Sequence, residues 1–224
     1  MREALVRAER VTRRYPGTGE VLVDVSFEIG PRETIALTGP SGSGKSTLLH
    51  VVGGIDDPSS GTIEWPALEH PIRPGPIALA FQGPSLLAPL SVRENVALAA
   101  LLVGTSDADA TRDADEWLER FGVDDVADRL PEEISGGQSQ RAGLARALAG
   151  RPRLVLADEP TGQLDGETGT AVLDTLLDAI HGTEASLVVA THDTNVAERM
   201  AQRWTLHEGH LETQGLGLIA TGGS

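Results

Sequence analysis

Short runs of β-forming residues recur along the chain, at Val21 to Ile29, Thr34 to Leu37, Ile77 to Phe81, Arg153 to Ala157 and Ser186 to Ala190. Several are apolar at consecutive rather than alternate positions, which is the pattern of strands covered on both faces. Between them, apolar residues return at helical spacing over Lys45 to Val52, Asp107 to Phe121, Gln138 to Ala149 and Glu167 to His181. Strands and helices in this alternation predict βαβ units, hence an α/β fold with a mainly parallel sheet.

Two regions depart from the alternation. Ala4 to Arg10 and Val21 to Ile29 flank the turn Pro16-Gly17-Thr18-Gly19, which predicts antiparallel strands at one edge and a β-lobe ahead of the core. Leu86 to Leu130 is rich in Ala, Leu and acidic residues at helical spacing and has no strong strand signal, so a helical subdomain inserted in the core is expected. The whole chain then reads as one domain: residues 1–85 as β-lobe and first part of the core, 86–150 helical, 151–214 the second part of the core, and 215–224 a Gly-rich tail with little that could pack.

Composition narrows the function classes. The 224 residues are 40% hydrophobic and 23% charged, a balance typical of soluble globular proteins. There is no cysteine, so disulfides and thiolate metal sites are excluded. The longest apolar stretch, Val96 to Val103, is far short of the roughly 20 residues that cross a bilayer, and Met1 to Arg10 alternates charges where a signal peptide needs an apolar block. A net charge of -15 repels a phosphate backbone at long range and argues against nucleic-acid partners.

The chemistry begins at Gly39-Pro40-Ser41-Gly42-Ser43-Gly44-Lys45-Ser46-Thr47, between an apolar strand and a helical run. That context predicts a triphosphate cradle. Glycines let the backbone curl with its amides inward, and the helix start adds the positive end of its dipole. Lys45 would reach the β- and γ-phosphates, and the Ser46 hydroxyl would ligate magnesium. Downstream, Leu154 to Ala157 runs into Asp158-Glu159, presenting two carboxylates at a strand's C-terminal end. Asp158 would hold the metal through its water shell, and Glu159 would act as general base on the attacking water.

A second cradle follows from Ile134-Ser135-Gly136-Gly137-Gln138, which again places small residues, a hydroxyl and free amides at a helix start, with the helix expected over Ser139 to Ala149. One chain thus carries two phosphate-binding ends but one lysine and one metal set. A composite site shared by two chains would use both.

These motifs together resemble the ATP-binding subunits of ABC transporters, with Ser135 to Gln138 as the signature beside the phosphate loop and the Asp158-Glu159 pair. The likeness covers nearly the whole chain and implies a P-loop NTPase core, ATP and Mg2+ as ligands, and a head-to-tail dimer in which each signature closes over the other subunit's ATP. It also implies integral membrane permease subunits on separate chains and a location at the cytoplasmic face of the membrane. By the same resemblance, Tyr15 would stack on adenine, Gln82 would touch metal and water, His192 would sense the γ-phosphate, and Asp165 would help couple the two sites.

Asp158-Glu159-Pro160-Thr161-Gly162-Gln163-Leu164-Asp165 is similar to the branch of lipoprotein-release, macrolide-efflux and cell-division ATPases. Gln163 stands where that branch usually has Asn, and Trp65 to Pro76 is short and proline-rich. A regulatory ATPase of the cell-division kind stays open at this stage. A soluble ABC ATPase of DNA repair or translation is less supported, because the long coiled coil, metal-binding cysteines or tandem domains of those relatives are not seen.

Overall fold

Strands buried on both faces set the architecture. In the computed structural model, which describes residues 3–17, 19–68, 75–81 and 85–215, β3 (Thr34–Thr38), β6 (Leu154–Asp158) and β7 (Ser186–Ala190) are buried almost throughout. The reason lies in the pleat, which sends alternate residues to opposite faces. Leu154, Leu156, Val188, Ile35 and Leu37 enter one core, while Val155, Ala157, Leu187, Val189 and Ala36 enter the other.

With β5 (Ile77–Ala80), β8 (Gln202–His207) and β9 (His210–Gly215) these strands form a six-stranded sheet ordered β5-β6-β7-β3-β8-β9. All neighbours are parallel except the final β8–β9 pair. One core packs the sheet against α1 (Lys45–Val52) and the N-terminal strands; the other packs it against α2 (Val92–Leu102), α4 (Gly136–Ala149), α5 (Gly166–His181) and α6 (Thr194–Glu198), with α3 (Asp107–Arg120) beyond. The fold is therefore α/β with a mainly parallel sheet, an antiparallel N-terminal lobe and a helical segment, as the residue pattern implied.

Several details differ from the sequence reading. The first strand, β1, spans Val6–Tyr15 rather than Ala4 to Arg10, pairing with β2 (Gly19–Ile29) right up to Tyr15 opposite Gly19. The two do not edge the main sheet. They form a separate antiparallel sheet ordered β2-β1-β4, whose third member, β4 (Ser60–Glu64), has mostly exposed side chains and so no apolar stripe to betray it. Helix α4 starts at Gly136, ahead of the expected Ser139, because Ser135 and Gln138 cap it reciprocally. No helix among the described residues is long and apolar enough to cross a membrane.

Candidate functional site

Parallel register brings three strand ends together. Ala190 of β7 sits opposite Leu37 of β3 on one side and Asp158 of β6 on the other. The residues that follow each strand therefore meet at the sheet's C-terminal edge, where open α/β sheets bind ligands. A cavity of about 490 Å³ opens there, lined by Val21, by Ser41, Gly42 and Gly44 of the loop after β3, by Lys45, Ser46 and Thr47 of the first turn of α1, and by Asp158, Glu159 and His192.

Backbone sterics explain the loop's glycines. Gly39 has φ +149°, and a Cβ there would lie 2.2 Å from the Leu206 carbonyl oxygen; Gly44 has φ +102°, and a Cβ would lie 2.8 Å from that of Val21. Gly39, Pro40 and Ser43 shape the loop without lining the cavity: the Ser43 amide donates to the Pro40 carbonyl at 3.2 Å, and the Ser43 hydroxyl is buried with no hydrogen-bond partner among the described residues.

Helix α1 differs from its fellows at its start. Ser91, Ser106, Ser135, Asp165 and Asp193 cap α2 to α6 with a side-chain oxygen, whereas Gly44 leaves α1 with no side-chain cap and no acid in its first turn. Its first amides keep the positive end of the helix dipole available, which suits an anion. Lys45 adds a cation: its Nζ donates to the carbonyls of Gly39 at 2.9 Å and Pro40 at 3.1 Å.

Opposite stand the acids. The Ser46 hydroxyl donates to Asp158 Oδ2 at 2.6 Å, so a hydroxyl and a carboxylate meet at the cavity wall. Hard oxygen donors of this kind fit magnesium. No three His, Cys, Asp or Glu that could hold a metal lie together among the described residues. The pair therefore suits an ion that completes its shell with phosphate and water.

Glu159 is nearly enclosed, its side chain 11% exposed, and its Oε1 lies 2.7 Å from His192 Nδ1, whose ring is 77% exposed. The Glu159 hydrogen bond, then its charge, raises the His192 pKa above the ordinary value, against opposition from burial and Lys45. Folding thus favours the imidazolium; the contact stabilises the fold below the unfolded histidine's pKa and the gain is lost as pH rises through the higher folded value. Proton NMR should find a His192 midpoint above the ~6.5 of free histidine, falling back towards it in Glu159→Gln. An unshifted midpoint in the native chain would remove the pair.

The other sequence-predicted residues lie apart from the cavity. Ser135 accepts from the Gln138 amide at 3.2 Å while Gln138 Oε1 accepts from the Ser135 amide at 2.9 Å. This box satisfies the third amide of α4, keeps the Ser135 proton available for donation, and leaves the Gly136 and Gly137 amides outside it. None of Ser135, Gly136, Gly137 and Gln138 lines the cavity. Nor does Asp165, whose Oδ1 accepts from the Thr168 amide at 3.0 Å; that bond holds its carboxyl below the usual range.

Tyr15 also lies outside the lining. Its hydroxyl donates to Asp56, and the Arg13 guanidinium, itself 2.5 Å from Asp56 Oδ1, stands 4.5 Å from the ring centre. The ring is thereby held with one face against Arg13. Gln82 falls outside the described residues.

Sequence reasoning passed over Gln140, whose side chain donates to the Glu159 carbonyl at 2.8 Å and accepts from the Gln163 amide at 3.3 Å. The available signal was a polar residue at a core position of an Ala- and Leu-rich helix. It also missed Thr191, which donates to Glu159 Oε2 at 3.4 Å.

Comparison with known proteins places this arrangement. Residues 22–162 match the family model described as ABC transporter. The chain is 38% identical over 224 residues to the lipoprotein-releasing system ATP-binding protein LolD of Shewanella sp. (strain MR-4), covering 95% of this chain and 97% of that one. It is 39% identical over 223 residues to LolD of Legionella pneumophila (strain Paris), covering 94% and 98%. Among solved structures it is similar, with TM-score 0.86 and 32% identity over 95% of this chain and 99% of the other, to a dimeric post-hydrolysis state of the ATP-binding cassette MJ0796 bound to ADP and Pi. A second dimeric structure of MJ0796, a bacterial ABC transporter cassette, gives TM-score 0.87.

Proposed function

Because this chain belongs to the ABC transporter family, we propose that it closes head to tail on a second ATP-binding subunit, each cavity completed by the other's Ser135 to Gln138 segment. It is an ATP-binding, ATP-hydrolysing subunit of an ABC-type system with membrane components. The observation that supports the dimeric reading is the pair of anion-ready helix starts, of which one lines the cavity and the other does not.

In this reading Lys45 exchanges the Gly39 and Pro40 carbonyls for the β- and γ-phosphates, and the α1 amides hold the same groups. Ser46 and Asp158, with Gln82, would hold magnesium, which when bound neutralises phosphate charge. Glu159 takes the proton of the attacking water, and His192 donates to the γ-phosphate. The partner's Ser135 hydroxyl and Gly136 and Gly137 amides close over that phosphate, Asp165 links the two sites, and Tyr15 offers its uncovered face to adenine. Hydrolysis to ADP and phosphate removes the group both subunits share and reopens the pair.

The membrane partner we place beside α2. A groove of about 270 Å³ runs there, lined by Ile77, Leu79, Leu87, Leu98 and Leu102 among others, with Leu87 47% and Leu102 57% exposed. Asn95, fully buried, fixes the segment ahead of α2 by donating to the Leu87, Leu90 and Ser91 carbonyls and accepting from the Leu87 amide. Separate permease subunits docked here would hold the chain peripherally at the cytoplasmic face of the membrane. The likeness to LolD favours release of lipoproteins as the task.

Leu102→Arg tests the docking. The variant should keep its ATPase rate in solution yet no longer co-purify with its membrane subunits, since a guanidinium would enter an apolar contact. Undiminished co-purification would place the partner elsewhere.

A further inference from the structure

Glu159 is held from behind. Its φ of +49° is uncommon for a residue with a Cβ, and three bonds fix that backbone: its amide donates to the Ala190 carbonyl at 2.9 Å, and its own carbonyl accepts from the Gly162 amide at 3.0 Å and from Gln140 Nε2 at 2.8 Å. The first two are main-chain bonds of the strand end. The third comes from α4, the helix that Ser135 caps.

Gln140 is 9% exposed and uses both ends of its amide, since Oε1 accepts from the Gln163 N–H at 3.3 Å. The polarity is forced: a carbonyl can only accept and an amide N–H can only donate, so the side chain cannot be turned round. Gln163 in turn lies on the second cradle, because a Cβ at Gly136 would stand 3.1 Å from its Oε1. One buried side-chain amide thus joins the residue after β6, the segment ahead of α5 and the helix that opens the second cradle. A buried amide with both partners is rigid; deprived of either, it leaves an uncompensated polar group.

We propose that Gln140 is a positioning residue for hydrolysis, fixing the backbone of Glu159, and with it the reach of the carboxylate, to the helix that carries Ser135. The inference rests on the reading of Glu159 as general base. It gives the two composite sites a mechanical link within each chain: the helix start that grips the neighbour's γ-phosphate also sets the base in the chain's own cavity.

Two variants separate positioning from packing. Gln140→Met keeps the volume and removes both bonds. Gln140→Glu keeps an acceptor for Gln163 but sets a carboxylate against the Glu159 carbonyl. In the full-length protein, both should lower kcat at least tenfold, on the order of a small displacement of a catalytic group, with KM for ATP changed by less than about twofold. The His192 NMR midpoint should fall towards its ordinary value in both, as the Glu159 carboxylate leaves Nδ1. In a Glu159→Gln background, Gln140→Met should add no further loss in single-turnover rate.

An unchanged kcat and an unchanged His192 midpoint in folded Gln140→Met would overturn the inference. So would a loss confined to KM, or a collapse of thermal stability with His192 unmoved. Should Glu159→Gln itself turn over normally, the base assignment fails by that result alone, and the His192 midpoint still decides whether Gln140 positions Glu159.

Discussion

Glu159→Gln should bind ATP with nearly native affinity and turn it over roughly 10²–10⁴ times more slowly, the range for loss of a positioned general base. Gln is nearly isosteric, so the strand end and its bonds to Ala190, Gly162 and Gln140 should survive. The amide cannot take a proton from water. With the shared phosphate left intact, the closed pair should accumulate and elute as a dimer in ATP but not in ADP. Steady-state phosphate release and size-exclusion chromatography measure both, and native turnover would take the role of base from Glu159.

The second large effect is expected at the other cradle. Ser135→Asp preserves the cap of α4, because aspartate accepts from the third amide as well as serine does, but it removes the hydroxyl donor and directs a negative charge at the incoming γ-phosphate. Turnover should drop by at least about a hundred-fold, comparable to losing a donor to a developing oxyanion. ATP binding to the single chain should be untouched, since Ser135 does not line the cavity. Fluorescent-nucleotide titration alongside the ATPase rate tests the split. Equal loss of binding and turnover would mean that both cradles act within one chain.

What could be read from the residues follows from how local their causes are. Ser186 to Ala190 and Lys45 to Val52 were legible to the residue, because a strand buried on both faces and a glycine-led helix advertise themselves in sequence. Ser60–Glu64 was not, since four of its five residues are exposed and only pairing with β1 makes it a strand. The end of β1 was lost for a related reason: Thr12, Arg13 and Arg14 are polar and leave no apolar alternation, and it is pairing with β2 and β4 that makes them strand.

The site divides in the same way. The loop after β3 and the acids at the end of β6 could be named from motif and context, and the parallel register then explains why they meet. That Gln140 would tie Glu159 to α4 depends on a contact between residues 19 apart in sequence, on different elements, which no local pattern records. Tyr15 could be named for its ring, but its anchoring by Arg13 and Asp56 comes from a residue 41 positions away.

The central claim is that two cradles, one around Lys45 and one around Ser135, grip a single terminal phosphate across a subunit boundary. The structure of Glu159→Gln with magnesium and ATP tests it most directly. Two nucleotides should lie between two chains, with the Ser135 hydroxyl of each about 3 Å from the γ-phosphate held by the other's Lys45. Two fully loaded chains whose Ser135 faces solvent, or reaches the phosphate of its own chain, would contradict it.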